Sequence, residues 1–595
     1  MRWLFRLIVA FFCLIGVLVV AAVVLAVFAT RELPAPTAAV PDRAVLQFNL
    51  ADGLVETRPR NLLARAASYK AVVLRDLVRA LEAAAGDPRV KGVLFHLGSG
   101  SIGLAQAQEI RDAVLDFRKS GKFAVAFAES FGEGGGGNLH YYLATAFDEI
   151  WMQPSGELAL TGVLVETPFL RDTLDLLGVV PRIDKREEYK GGADMFTAST
   201  MPEPVRENLQ RLVDSFGTQL ATGISQGRSM TIEQARDLID RGPYVAVQAQ
   251  QQRLVDRLAY WDEVRQSVED RGGGGAELLP IADYIAALPD PPADAPRIAV
   301  VYGLGPVRLA TSEREPDFGD SVMRSRAVAA ALADAVKDDR VKAIVFRIDS
   351  PGGSYVAADS IWREVDRARG QGKPVVVSMG NVAASGGYFV AAPAKTIVAE
   401  PGTITGSIGV FGGKFVLQGL WDKLGLRWDG VQSGRHAGFA SPNRDYSEEE
   451  WAALQESLDR VYLDFTRKVA EGRSLPADKV EAAAKGQVWS GADAQAEGLV
   501  DQLGGFREAL RIARTEAGIA PDAAVRVVEF PEARSDIDAL LDWLSRLGLV
   551  DARTLRSLAD LARLAGLADT LDRLLGPAAA IGADARLQAP ALEVR

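Results

Sequence analysis

Ser385 has the sequence surroundings of a serine nucleophile. It lies in the segment NVAASGGYFVAAPAKTIVAEPGTITGSIGVFG, residues 381–412, between small residues and a glycine pair and just before a helix-like run. A serine at a helix N-terminus lies among unpaired backbone N–H groups and at the positive end of the helix dipole. The segment therefore indicates a nucleophile for acyl transfer, although a Ser-Gly-Gly turn is more often only a tight loop.

A second glycine-rich segment supplies candidate hydrogen-bond donors for the same chemistry. The residues SPGG, 350–353, follow an apolar run of strand length. Glycine lets backbone N–H groups approach a ligand closely, so the N–H groups of Gly352 and Gly353 are candidate donors to a substrate carbonyl oxygen. Gly386, directly after the serine, is a third candidate. Each of these signals is weak when it is taken alone.

The runs around these motifs predict alternating strands and helices. Residues 354–370 have helical spacing, with Ser354 as a candidate N-cap and Gly370 at the end. Strands are predicted at 44–50, 342–348, 374–379 and 396–400. Strands that alternate with helices predict an α/β fold with a mostly parallel sheet and helices packed outside it.

The chain contains two copies of one domain. Residues 87–130 align without a gap with residues 338–381, at a constant difference of 251 (338 minus 87). Gly/Pro-rich stretches at 271–280 and 289–296 separate the copies. We expect the first domain at 44–285 and the second at 296–520, followed by a C-terminal extension, 521–595, with leucines at helical spacing.

Residues 7–29 form an uncharged apolar run. Twenty-three helical residues span roughly 35 Å, enough to cross a bilayer. Arg2 and Arg6 precede the run, which predicts a cytoplasmic N-terminus at 1–6 and places the chain after the linker 30–43 across the membrane. A cleaved secretory signal is the alternative, but it would have a shorter apolar core.

Composition excludes several other classes of function. The net charge is −11 and no basic tract offsets it, which argues against a nucleic-acid partner. The single cysteine, Cys13, permits neither an intrachain disulfide nor a cysteine-based zinc site. The glycine runs lack the strand–glycine–helix context of a phosphate loop, so the sequence implies no metal and no cofactor.

Three motifs together resemble the signal peptide peptidase SppA family, also called protease IV. They are IDSPGGS (348–354), AASGGYFVAAPA (383–394) and GTITGSIGVFG (402–412). The apolar N-terminal run and the doubled domain match the long, two-repeat, membrane-anchored form of that family. The resemblance implies two tandem domains of the Clp protease and crotonase superfamily, which are built from repeated ββα units.

The resemblance also implies a Ser/Lys dyad. The family's catalytic lysine lies in a Tyr-Lys stretch that matches DKREEYKGGADMFTASTMPEPV, residues 184–205, and so maps to Lys190 in the first repeat. Ser385 is then the nucleophile in the second repeat, and Ser407 matches a serine proposed to orient the lysine amine, although it could equally be a plain turn serine. Each repeat keeps one half of the dyad, so we expect the site where the two domains meet.

A lysine acts as a base only when its amine is neutral. Burial in an apolar site lowers a lysine pKa by several units. Lys185 and Arg186 would lower the pKa of Lys190 further if they lay near it, whereas Glu187 and Glu188 would oppose that effect.

A histidine-based triad remains an alternative. The chain has three histidines, none of them near Ser385 in sequence. His96 lies inside a predicted strand and His140 beside a glycine run. His436 is the best of the three candidates, because it falls about where the second repeat would carry the counterpart of Lys190.

The predicted function is that of a membrane-anchored serine endopeptidase. It would degrade cleaved signal peptides and other apolar peptides through an acyl-enzyme, with a pocket for small apolar side chains around Tyr388 and Val410. By resemblance, we expect a homotetramer on the extracytoplasmic side of a bacterial inner membrane. A catalytically inactive scaffold and a crotonase-like enzyme acting on acyl thioesters are the alternatives.

Overall fold

The computed structural model describes residues 39–59, 68, 70–133, 136–310 and 322–531. The predicted transmembrane segment 7–29 lies outside these residues, as does the chain beyond 531. Within the described ranges, no helix is both long and apolar enough to span a membrane. Two large sheets, one in each repeat, organise this part of the chain.

The first repeat is a mixture of short strands and helices. Its strands are β1 (Ala44–Asn49), β2 (Leu54–Val55), β3 (Val72–Val73), β4 (Val90–His96), β5 (Phe123–Ala128), β6 (Glu149–Met152), β7 (Glu157–Leu158), β8 (Val180–Arg186), β9 (Tyr244–Val245), β10 (Arg257–Leu258) and β11 (Glu277–Pro280). Its helices are α1 (Leu74–Gly86), α2 (Leu104–Arg118), α3 (Asn138–Ala144), α4 (Arg171–Leu177), α5 (Asp194–Thr197), α6 (Glu203–Gly227), α7 (Ile232–Arg241), α8 (Ala246–Gln251), α9 (Trp261–Gly272) and α10 (Ile281–Ala287).

The first repeat is built on a six-stranded parallel sheet in the order β10-β6-β5-β4-β1-β11. Its central strands are continuously apolar because helices cover both faces. Every residue of β5 is buried, and alternate side chains pack into the cores on opposite faces of the sheet. Ala124 and Ala126 belong to the larger core, whereas Val125 and Phe127 pack with Val264 of α9 on the other face.

The second repeat follows the same plan. Its strands are β12 (Arg297–Leu304), β13 (Val307–Arg308), β14 (Met323–Arg324), β15 (Val341–Ser350), β16 (Val375–Ala384), β17 (Thr396–Ala399), β18 (Ile404–Gly406), β19 (Val410–Val416), β20 (Val488–Ser490), β21 (Gln502–Leu503) and β22 (Arg526–Phe530). Its helices are α11 (Ser325–Lys337), α12 (Tyr355–Gly370), α13 (Gly386–Ala391), α14 (Gln418–Lys423), α15 (Glu448–Arg473), α16 (Ala477–Ala483), α17 (Gly491–Ala496) and α18 (Phe506–Glu516).

The second sheet runs in the order β20-β18-β16-β15-β12-β22, and β17 pairs with both β16 and β21. All of its pairs are parallel except β18 with β20. The predicted α/β class with mostly parallel sheets is therefore confirmed. The predicted strands are present, and Ser354 caps α12 by accepting a hydrogen bond from the N–H of Ala357 (3.4 Å).

β16 is longer than predicted and leads directly to Ser385. It first pairs with β15 and β17, and its last residues, 382–384, pair with β18. The sequence pattern did not predict this extension, because Gly380 and Asn381 interrupt the apolar run. Asp349 holds the interrupted part by accepting a hydrogen bond from the N–H of Val382 (3.0 Å).

The two repeats share one tyrosine contact that fixes their alignment beyond the gapless region. The hydroxyl of Tyr141 donates to the carbonyl of Leu254 (2.8 Å), and that of Tyr388 donates to the carbonyl of Leu499 (2.9 Å). Tyr388 is fully buried in the core. The prediction that Tyr388 lies beside a substrate pocket is therefore wrong, because its ring packs inside the domain.

Three features join the repeats. β8 of the first repeat and β19 of the second pair antiparallel over seven residue pairs, from Val180 with Val416 to Arg186 with Val410. Ile404 of β18 lies in the large core of the first repeat. Arg347, only 1% exposed, forms ion pairs with Glu56 (2.9 Å) and Glu109 (2.6 Å) of the first repeat.

Candidate active site

Ser385 lies in a sharp turn between β16 and α13. Its backbone has φ 53° and ψ −117°, which is strained for a residue with a side chain. Two backbone hydrogen bonds hold this conformation. The N–H of Ser385 donates to the carbonyl of Gly406 (2.8 Å), and its carbonyl accepts from the N–H of Phe389 (2.8 Å). The turn therefore presents the serine at the start of α13, as the sequence predicted.

The side chain of Lys190 reaches Ser385 from the other repeat. Its Nζ atom lies 3.0 Å from the Oγ atom of Ser385. The same amine donates to the carbonyl of Ser407 (2.7 Å) and lies 2.9 Å from the Ser407 hydroxyl. The structure thus brings together all three side chains that the sequence singled out, and the pairing of β8 with β19 is what places Lys190 there.

Burial lowers the pKa of Lys190 from its ordinary 10.5 to about 7. The cause is loss of hydration, because only 5% of the residue is exposed. Among the described residues no carboxylate bonds to the amine, and its hydrogen-bond partners are all serine oxygens. A substantial fraction of the amine is therefore neutral at neutral pH and able to accept a proton.

The nearby charges are paired among themselves. Lys185 forms an ion pair with Asp194 (2.6 Å), and Arg186 forms one with Asp184 (2.9 Å) and another with Asp459. Because carboxylates neutralise these cations, the expected further lowering of the Lys190 pKa by Lys185 and Arg186 does not occur, and burial alone accounts for the shift.

Ser407 occupies a tight turn after β18. Its φ is 51°, and its N–H donates to the carbonyl of Gln487 (2.6 Å). This hydrogen bond fixes the orientation of both the carbonyl and the hydroxyl that Lys190 contacts. Ser407 is thus a turn serine that also contacts the lysine amine, and its role in orienting that amine stays a prediction.

The glycine loop lies directly against the serine turn. A methyl group added at Gly352, whose φ is 97°, would lie 2.6 Å from the nitrogen of Gly386 and 2.8 Å from the Cβ atom of Ser385. One added at Gly386 would lie 3.1 Å from the nitrogen of Gly353. Among the hydrogen bonds of the described residues, none uses the N–H of Gly353 or Gly386 as its donor. Two neighbouring N–H groups are thus available beside Ser385.

The histidines lie elsewhere. His436 is about half exposed, and its ring nitrogens lie 3.6 Å from Glu449 and 3.7 Å from Glu450. His96 bonds to Glu129 (2.5 Å), and His140 bonds to a backbone carbonyl. Within the described ranges no histidine bonds to Ser385, so the histidine-based alternative has no geometric support.

A segment that encloses the lysine was not predicted from the sequence. A methyl group added at Gly486 would lie 2.7 Å from the Cα atom of Lys190, and one added at Gly409 would lie 3.2 Å from its Cδ atom. Gln487, next in the chain, holds Ser407 as described above. The only signal in the sequence is a glycine between polar residues in KGQVW, 485–489, which is typical of many loops.

The arrangement can perform acyl transfer: a strained serine, a buried amine within hydrogen-bond distance, and two free N–H groups on adjacent loops. Comparison with known proteins agrees. The family model described as peptidase family S49 matches residues 116–273 and 367–520, one stretch in each repeat. The chain belongs to peptidase family S49. It is accordingly a serine peptidase.

Curated relatives extend the similarity over most of the chain. The chain is 32% identical to "Serine protease SPPA, chloroplastic" of Arabidopsis thaliana over 495 residues, which cover 80% of this chain and 70% of the relative. It is 32% identical to "Protease 4" of Haemophilus influenzae over 475 residues, covering 76% of this chain and 74% of the relative. "Protease 4" of Salmonella typhi is 33% identical over 450 residues, which cover 73% of this chain and 71% of the relative. The resemblance to the SppA family is therefore confirmed.

Proposed function

We propose that this S49 peptidase cleaves apolar peptides, remnants of signal peptides among them, with Ser385 as nucleophile and Lys190 as general base. The observation that carries the proposal is the 3.0 Å contact between the buried Lys190 amine and the Ser385 hydroxyl. A neutral amine at this distance accepts the hydroxyl proton as the Oγ atom attacks the carbonyl carbon of the substrate.

The two glycine loops supply hydrogen-bond donors for the negative charge that develops on the substrate carbonyl oxygen in this step. The N–H groups of Gly353 and Gly386 would donate to the oxyanion of the tetrahedral intermediate, with Gly352 allowing the loops to approach. The Lys190 ammonium then returns its proton to the leaving amine, and an acyl-enzyme on Ser385 remains. Water attacks this ester and gives a proton to Lys190. The second tetrahedral intermediate then collapses, Lys190 returns that proton to the Oγ atom of Ser385, and the carboxylic acid product leaves.

Ser407 orients the base in this proposal. Its carbonyl and hydroxyl oxygens are the other two partners of the Lys190 amine, so they direct that amine toward Ser385. No step needs a metal ion or a cofactor. Among the described residues, no cluster of three or more His, Cys, Asp and Glu side chains could hold a metal ion.

We further propose that residues 7–29 anchor the enzyme in a bacterial inner membrane, with the catalytic repeats on the extracytoplasmic side. The 23-residue uncharged run and the two preceding arginines support this topology. The two mostly parallel sheets and their glycine loops are consistent with the Clp protease and crotonase superfamily. Each of the proposed domains, 44–285 and 296–520, contains one large sheet. The second sheet also includes β22, at 526–530, which lies beyond the proposed limit.

An apolar surface supports the proposed homotetramer. Leu176 and Leu177 of α4 are exposed, and so are Leu424 and Trp428 after α14. These two segments adjoin, because the amine of Lys423 contacts the carbonyl of Leu176. An exposed apolar surface that spans both repeats is typical of a subunit interface. Sedimentation of the Leu424→Asp variant as smaller particles than the parent would support this use of the surface.

The test of the dyad compares three forms of the detergent-purified full chain on an apolar fluorogenic peptide. We expect Lys190→Ala to lower kcat/KM about a thousandfold or more, because serine attack loses its base. The matched control is Lys337→Ala, an exposed lysine of α11 whose amine pairs with Asp334 (3.2 Å), which should stay within about twofold of the parent. Activity of Lys190→Ala near that of the control would refute the Ser/Lys assignment.

A further inference from the structure

The first repeat contains a cavity of about 470 Å³, a size typical of ligand sites. It lies where the chain leaves β4 and where α3 begins, and α6 covers it. The residues that line it include Ser101, Ile102, Leu104, Asn138, His140 and Val163. None of these residues belongs to the site around Ser385.

This cavity occupies the place of the catalytic cleft in the other repeat. The gapless alignment matches Ser101 and Ile102 with Gly352 and Gly353, since 352 minus 101 is 251. After the glycine insertion, the shared tyrosine contact sets the difference at 247, which is 388 minus 141. Asn138 then matches Ser385. By the same difference, Val163 matches Val410 and Leu160 matches Ser407.

At this place the first repeat lacks the residues that acyl transfer needs. The Asn138 amide is held by the backbone, donating to the carbonyl of Gly162 (2.8 Å) and accepting from the N–H of Thr161 (3.0 Å). Ile102 stands where the second repeat has the donor glycine Gly353, and Leu160 stands where it has Ser407. A cavity has nevertheless been retained, with walls that are predominantly apolar.

The residues that line the cavity indicate the chemistry of a complementary ligand. Its side chains include three leucines, an isoleucine, a valine and a phenylalanine, and none of the lining residues is Asp, Glu, Lys or Arg. The Nε2 atom of His140 lies 2.9 Å from the carbonyl of Gly100, which fixes it as a donor, so the Nδ1 atom of a neutral ring is an acceptor. That Nδ1 atom is buried and has no hydrogen-bond partner. The complementary ligand therefore carries an N–H donor between apolar side chains.

One wall of the cavity packs against two segments that lead to the active site. Leu104 lines the cavity at the start of α2 and packs against Gly402, where an added methyl group would collide with the leucine. The N–H of Gln106 in the same turn donates to the side chain of Asn381 (3.3 Å). Gly402 begins the segment that leads to Ser407, and Asn381 precedes Ser385 by four residues. A peptide long enough to extend past this wall can occupy both sites.

We propose that the degenerate cleft of the first repeat is a second binding site for the peptide substrate, which holds an apolar extended segment while another segment lies at Ser385. This inference rests on the proposed function, since it takes the ligand to be the substrate. The apolar walls bind side chains, and the Nδ1 atom of His140 accepts a hydrogen bond from a backbone N–H of the peptide. The site therefore favours long apolar peptides over short ones.

The kinetic test fills the mouth of the cavity in the full-length enzyme. Ser101 is exposed and lines the cavity, so Ser101→Trp adds bulk there without replacing a core residue. We expect KM for an apolar peptide of about 20 residues, roughly 66 Å when extended, to rise about tenfold. For a fluorogenic tetrapeptide, kcat/KM should stay within about twofold. Ser99→Trp, an exposed serine outside the cavity, is the matched control and should change neither value.

A binding test separates this inference from the proposed catalysis. The Ser385→Ala variant should bind the same long peptide, labelled with a fluorophore, and the double variant with Ser101→Trp should bind it about tenfold more weakly. His140→Phe in the same background should also weaken binding, because the ring remains but the acceptor is lost. Equal affinity with and without Ser101→Trp, or an equal rise of KM for both peptides, would overturn the second site even if the dyad is correct. Tenfold weaker binding would support it even if Ser385 proved not to be the nucleophile.

Discussion

The Nζ atom of Lys190 lies 3.0 Å from the Oγ atom of Ser385, although 195 positions separate the two residues. One is in the first repeat and the other in the second, so each repeat supplies one residue of the proposed dyad. Their approach depends on the antiparallel pairing of β8 with β19, which ends at Arg186, four residues before the lysine. The proposed site therefore requires both domains.

The first prediction concerns pH. Because burial lowers the pKa of Lys190 to about 7, the neutral amine should increase as the pH rises through 7. We expect kcat/KM to fall about tenfold per pH unit below about pH 6 and to reach a plateau above about pH 8. A pH profile on a short peptide measures this directly.

Asp349 provides the control for that profile, because burial raises its pKa to about 7 as well. Its Oδ1 atom accepts the Val382 N–H, an interaction that an asparagine can retain. Asp349→Asn should therefore leave the acidic limb in place. If the limb disappeared in this variant, the titrating group would be the carboxyl and not the lysine.

The second prediction concerns stability. The unfolded chain holds the Lys190 proton up to about pH 10.5, whereas the folded chain releases it near pH 7, so the lysine destabilises the fold most below pH 7. Removing it with Lys190→Met should raise the free energy of unfolding by about 2 kcal/mol at pH 7, after allowance for the unpaired oxygens of Ser407. The gain should disappear near pH 10.5. Urea titrations at both pH values test the sign, and an unchanged or lower stability at pH 7 would contradict the lowered pKa of the buried amine.

Much of the fold and half of the site could be predicted from the sequence because their signals are local. Apolar runs mark β15 and β17, and Ser385 stands between a strand and glycines, so both can be recognised within a few residues. Lys190 had no such signal: its neighbours are charged, and only the family motif identified it. Its burial comes from the second repeat, through Gly409 and Gly486, and no pattern within one segment reports such packing.

The contacts between the two repeats could not be predicted from the sequence either. Arg347 lies in an apolar strand, where a charged residue is unexpected, and its partners Glu56 and Glu109 are more than two hundred positions away. The first repeat has His96 at the position that matches Arg347, so the alignment of the repeats did not predict an ion pair there. The substrate pocket around Tyr388 was mispredicted for a related reason, since a tyrosine beside a nucleophile can face either the cleft or the core.

The third prediction concerns Ser407. Its hydroxyl lies 2.9 Å from the Lys190 amine, while its carbonyl lies at 2.7 Å and is retained in any variant. Ser407→Ala should therefore lower kcat by about 10-fold to 100-fold and leave KM within about twofold, because the base is less well directed but the substrate still binds. Ser360→Ala, on the exposed side of α12, is the control. A change in KM alone would mean that Ser407 contacts substrate and does not position the lysine.

The fourth prediction concerns Arg347. Arg347→Met would leave Glu56 and Glu109 buried without their counter-charge, so we expect unfolding to become easier by about 3 to 5 kcal/mol. Arg363→Met removes an exposed pair with Asp366 (3.4 Å) and should cost less than about 1 kcal/mol. Denaturant titration of both variants makes the comparison. Similar losses in the two would show that the buried pairs contribute little to the packing of the repeats.

The last prediction separates the donor loop from the dyad. An alanine at Gly352 would have φ near 97° and a methyl group 2.6 Å from the nitrogen of Gly386, so the two loops must move apart. Gly352→Ala should lower kcat by about 100-fold or more, since each misplaced donor costs that order in acyl transfer.

Gly372→Ala is the matched control: its φ is also positive, at 78°, but nothing lies within 4 Å of the added methyl group. Both variants carry the backbone strain of a positive φ, and only the first disturbs the N–H groups beside Ser385. A serine-reactive phosphonate should then label Gly352→Ala slowly and Gly372→Ala at the rate of the parent, and equal labelling of the two would show that these N–H groups do not stabilise the oxyanion.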